Sequence, residues 1–128
     1  MMARRLRLKI GEVEAVVELN ETETARALYE AAPFDSVANT WGDEVYFSTP
    51  VSRELEEGHA KEVVEVGDVG YWPPGRAICL FFGPTPVSGP GEIRPASPVT
   101  IIGRLVTDPE ELRNVKDGDP IKVEREEG

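Results

Sequence analysis

The residues with the most chemical potential straddle one turn. If Gly42-Asp43 is a two-residue hairpin turn, Trp41 faces Glu44 and Asn39 faces Tyr46. One strand face then carries Asn39, Trp41, Glu44 and Tyr46. Aromatic rings with polar tips, beside a carboxyl and an amide, can line a ligand groove. The opposite face carries Ala38, Thr40, Val45 and Phe47 and reads as core. Trp72, Phe81 and Arg94 complete the candidate groove. Strand alternation alone leaves open which of Tyr71 and Trp72, and which of Phe81 and Phe82, faces outward.

Other chemistry has few residues to use. Cys79 is the only cysteine, so no intrachain disulfide forms, and its apolar run Ala77–Phe82 predicts a buried, inert thiol. His59 is the only histidine and lies in an acidic stretch that reads as loop. One His and one distant Cys do not make a zinc site, and no Ser-His-Asp motif is present. Catalytic residues, metal and cofactor are therefore all read as none. Glu12, Glu14 and Glu18 form a solvated face, and Asp117 and Asp119 are turn residues.

The 128 residues fit a single domain over 1–128, large enough to bury one core. With 40% hydrophobic and 30% charged residues, the composition is that of a globular chain. A net charge of −10 repels phosphate backbones and argues against nucleic acid as a partner. No apolar run is long enough for a membrane span and no signal-peptide core is present, so a cytoplasmic protein is expected. Abundant Glu and Arg, with little Gln and Cys, suit a thermophile.

The positioning elements are mostly strands. Leu6, Leu8 and Ile10, then Val13, Ala15, Val17 and Leu19, alternate with charged residues. A type II′ turn at Gly11-Glu12 sets Lys9 against Glu14 and Arg5 against Glu18. Asn20 and Glu23 read as a helix cap pair, followed by an amphipathic face of Ala25, Leu28, Tyr29 and Ala32. Further strands are expected at Val69–Trp72, Ala77–Phe82, Val99–Val106 and Ile121–Val123, with a second short helix from Pro109. Pro84–Pro98, with five prolines, must be a long loop. About eight strands and two short helices, with frequent turns, predict a closed barrel or a sandwich.

The run Val66-Gly67-Asp68-Val69-Gly70-Tyr71-Trp72-Pro73-Pro74-Gly75, followed by Ile78–Pro86, resembles the cyclophilin-like proteins of archaea and bacteria. Trp41–Phe47, Ile101-Ile102-Gly103-Arg104 and Pro120–Val123 fit the same family, so the resemblance covers nearly the whole chain. It implies a mainly β fold, a closed eight-stranded cyclophilin-like barrel with two short helices. Authentic cyclophilins are prolyl isomerases with an essential Arg on the strands after the first helix. The matching segment Phe34–Phe47 has no Arg. Arg94 falls about where the family's Trp would be, Val99 where its His would be, and Leu80 replaces a Gln. Lowering a barrier of about 18–20 kcal/mol without that donor removes the reaction's electrostatic lever.

The reading is thus a cyclophilin-like domain that binds a peptide or small molecule in an aromatic groove, without the usual isomerase Arg. The alternatives are a prolyl isomerase with Arg94 or Arg76 relocated into the site, and a structural or dimer-forming interaction protein, its partner then a second copy in a homodimer. The ligand's identity is open.

Overall fold

The computed structural model describes residues 4–126. The first hairpin joins β1 (Arg5–Ile10) to β2 (Val13–Leu19). Lys9 stands opposite Glu14 and Arg5 opposite Glu18, as the charge pattern predicts. Gly11 has φ +58° and Glu12 has no positive φ, which is the II′ arrangement. Arg7 bridges two strands, to Glu14 at 2.8 Å and Glu126 at 2.6 Å.

The chain then forms α1 (Glu23–Ala31), which buries Thr24, Ala25 and Leu28. Its N-cap is Thr22, not Asn20: the Thr22 side chain accepts from the Ala25 N–H. Asn20 instead accepts from the Thr22 N–H and hydroxyl, and its amide donates to the Ile101 carbonyl. The two-residue shift follows from this tertiary bond, which commits Asn20 to a neighbouring strand.

Strands β3 (Phe34–Val37), β4 (Asn39–Thr40), β5 (Glu44–Ser48), β6 (Ala60–Lys61), β7 (Asp68–Trp72), β8 (Ala77–Phe81), β9 (Val99–Leu105) and β10 (Pro120–Glu126) complete the element order. They make one ten-stranded sheet in the order β3-β10-β1-β2-β9-β7-β8-β5-β4, with β6 beside β9. The expected closed eight-stranded barrel is corrected on both counts. The additional strands are short: β4 and β6 have two residues each. The ladder's ends, β3 and β4, are separated along the chain only by Ala38. Where a barrel would close, the Ser36 hydroxyl donates to the Ser48 carbonyl at 2.7 Å. Of the two expected helices, α1 is regular, and Pro109–Asn114 is a 3₁₀ segment capped by Asp108.

The sheet wraps one main core, in which Tyr71 and Phe47 are among the largest fully buried side chains. Tyr71 faces inward, its hydroxyl donating to the Val51 carbonyl at 2.6 Å. A second, smaller cluster of Val64, Cys79, Phe81, Ile93 and Val99 lies separately, with Tyr46, Trp72 and Ile101 packed against it. Among the described residues no helix is long and apolar enough to cross a membrane.

Candidate functional site

The Gly42-Asp43 hairpin has the expected register. Asn39 pairs with Tyr46 and Thr40 with Val45, and the Trp41 N–H donates to the Glu44 carbonyl at 2.9 Å. Gly42 sits at φ +60°, and a Cβ there would come within 2.8 Å of Pro86. Only glycine suits both the turn and the close approach of the following loop. On the inner face Ala38, Val45 and Phe47 are fully buried, while Thr40 is half-buried and hydrogen-bonds Asp117.

The outer face is extended by neighbouring strands. The β5–β8 register sets Tyr46 opposite Cys79 and Glu44 opposite Phe81, and the β7–β8 register sets Trp72 opposite Ala77. The 84–98 segment covers this face as an ordered loop. Ser88 Oγ accepts from the Thr85 and Arg94 N–H groups at 2.9 Å each. The Thr85 hydroxyl donates to the Arg94 carbonyl. Val64 N–H donates to the Ile93 carbonyl at 2.9 Å, and Trp72 Nε1 to Ser97 Oγ at 2.6 Å.

Between loop and sheet lies a pocket of about 170 Å³ lined by Trp41, Glu44, Tyr46, Trp72, Cys79, Pro95 and Ala96. Four of the seven candidate groove residues meet here: Trp41, Glu44, Tyr46 and Trp72. Three do not line it. Asn39 is exposed, its amide directed at the Val37 and Tyr46 carbonyls. Phe81 lies in the second cluster with no exposed surface. Arg94 is held by Glu92 through Nε at 2.8 Å. Neither Arg94 nor Arg76 lines the pocket. Cys79, Pro95 and Ala96 were not singled out from sequence as site residues. Strand alternation from Phe81 points to Cys79, whereas the loop residues carry no periodic signal.

Glu44 dominates the electrostatics. It is 5% exposed, and its Oε1 is buried with no hydrogen-bond partner among the described residues. Burial pushes its carboxyl up to about 7, and the neighbouring Cys79 thiol opposes that only in part. Burial also lifts Cys79 well above an ordinary thiol, with the Glu44 charge acting in the same direction. Cys79 is therefore a protonated wall of the pocket rather than a nucleophile. Chemically, the arrangement offers an apolar, ring-lined recess with a single carboxyl that can accept or release a proton near neutrality. No cluster of three or more His, Cys, Asp or Glu suited to a metal occurs among the described residues. His59 is exposed at the end of a 3₁₀ turn.

Two comparisons with known proteins bear on this arrangement. A family model described as Cyclophilin-like matches residues 4–124. The chain is also similar to the solution structure of a hypothetical protein from Archaeoglobus fulgidus. Identity is 51%, the TM-score is 0.82, and the match covers 97% of this chain and 95% of that one. No curated protein matches.

Proposed function

The chain belongs to the cyclophilin-like family, and from that premise we propose that it is a binding domain whose site is the pocket beneath the 84–98 loop. The occupant is a small molecule, or one side chain of a peptide. The observation that carries this reading is Glu44: a carboxyl 5% exposed, one oxygen unpartnered, beside three aromatic rings. A buried polar group without a partner costs on the order of 1–3 kcal/mol. Stability alone gives no reason to keep such a group, whereas a ligand that completes its hydrogen bonds does. The volume supports a small occupant. An engineered apolar cavity of ~150 Å³ holds a benzene, and pockets for drug-sized ligands start near ~300 Å³.

Prolyl isomerisation is the reading the family name invites, and the residues favour binding over it. No Arg occurs between Phe34 and Phe47, and the two nearby arginines named above stay outside the pocket. A fragment titration followed by ¹H–¹⁵N NMR tests the proposal. The two tryptophans give separate indole signals, and both belong to the pocket. Binding should move both, together with the Glu44, Tyr46 and Cys79 amides. Shifts clustering instead at the separate recess formed by Asp43, Phe82, Leu112 and Arg113, or no shifts with any fragment, would overturn the assignment.

A further inference from the structure

The pocket's lining is lopsided in charge. Glu44 is its one acidic residue, and no Lys, Arg or His lines it among the described residues. Arg94 in the covering loop is engaged with Glu92, and Arg113 with Asp43 and Glu110. A buried carboxylate with no cation of its own is costly. The same recess places three aromatic rings, Trp41, Tyr46 and Trp72, around it. Ring faces attract cations, most strongly when the cation is desolvated. Both features call for the same missing group.

We propose that the pocket takes the ammonium group of a small organic amine, its N–H bonded to Glu44 and its carbons against Trp41, Tyr46 and Trp72. This rests on the pocket being a binding site, as argued above. An anion would meet Glu44 as a like charge, and nothing in the lining would offset it. A neutral alcohol or amide could hydrogen-bond Glu44, but it brings no charge to offset a buried carboxylate and gains nothing from the ring faces as a cation does. The volume of about 170 Å³ admits a headgroup with a short chain and excludes a bulky cation. A net charge of −10 draws cations toward the protein before they reach the pocket.

Proton linkage follows. Tyr46 from β5 and Cys79 from β8 are the other titratable groups in the lining; Trp41, Trp72, Pro95 and Ala96 carry none. An ammonium ligand favours ionised Glu44, so binding releases a proton where Glu44 starts protonated. Affinity should rise as pH rises through about 7. It should fall again only when the amine itself loses its proton.

The source of the amine, free or carried on a lysine side chain, is separated by the choice of probes. Wild-type protein would be titrated at about pH 8 with n-butylammonium, with 1-butanol as its neutral counterpart, and with a lysine blocked at both ends; alkyl amines are still protonated there. The same series would be run on Glu44→Gln, and calorimetry in two buffers would count released protons. The expected result is tryptophan-signal shifts with n-butylammonium at roughly tenfold or more lower concentration than with 1-butanol. Glu44→Gln should lose that preference while remaining folded. Tighter binding of blocked lysine than of n-butylammonium supports a side-chain source, and the reverse supports a free amine. If 1-butanol binds the wild type as well as n-butylammonium, the cation assignment fails while the binding site stands. If neither moves the tryptophan signals, both fail.

Discussion

Glu44 is followed by Val45 and Tyr46, so its place beside the rings is set by strand alternation alone. Its membership of the aromatic face was legible from the sequence for that reason. Its burial was not, because the cover comes from Pro95 and Ala96, more than forty residues away in a loop without periodicity. Arg94 shows the converse: the family resemblance draws it toward the site, but a local pair with Glu92 holds it aside. The raised carboxyl has a consequence for stability. Its folded value is about 7 against an ordinary 4.5, so the folded state holds the proton more tightly. Stability from this group is complete below about 4.5 and lost as pH rises through about 7. The loss approaches roughly 3 kcal/mol above that range. Urea unfolding at about pH 5 and about pH 8 should show a drop in wild-type stability that Glu44→Gln lacks. Equal drops in both proteins would place the linkage on other groups.

Among the elements, the two hairpins were the most readable, since each has glycine first in its turn and a clean apolar alternation. The two-residue strands and the open sheet ends were not. They depend on long-range contacts such as Ser36 with Ser48, which no local pattern encodes. Thr22 displaced Asn20 as the helix cap for the same kind of reason, and Thr22→Ala should cost about 1 kcal/mol in a thermal or urea melt. The register about Gly42 can be tested through its two faces. Phe47 is fully buried in the main core, so Phe47→Ala should cost about 3–5 kcal/mol. Tyr46 is half-buried at the pocket, and Tyr46→Ala should cost much less. Denaturant melts of the pair decide it. A larger cost at Tyr46 would mean the aromatic face packs as core, and the site would fall with the register.

For the whole molecule, the mainly β character and the cyclophilin-like family were readable, because they rest on strand alternation and on long motifs. Barrel closure was inferred from the family and is corrected by the ladder, which ends at β3 and β4. Activity does not follow from fold, and on the reading proposed above it is binding rather than isomerisation. A protease-coupled assay on Ala-Pro and Phe-Pro peptides should show little or no isomerisation. A cyclophilin-like rate that Arg94→Ala or Arg76→Ala abolishes would instead make the chain an isomerase. The central claim is that Glu44 is a buried acid with one oxygen unpartnered, which a ligand in the aromatic pocket completes. Its most direct test is the ¹³C signal of the Glu44 carboxyl followed against pH, alone and with n-butylammonium. The expected midpoint is about 7 in the free protein, moving down when the amine is added. A midpoint in the ordinary carboxylate range near 4.5, unmoved by the amine, would contradict the account.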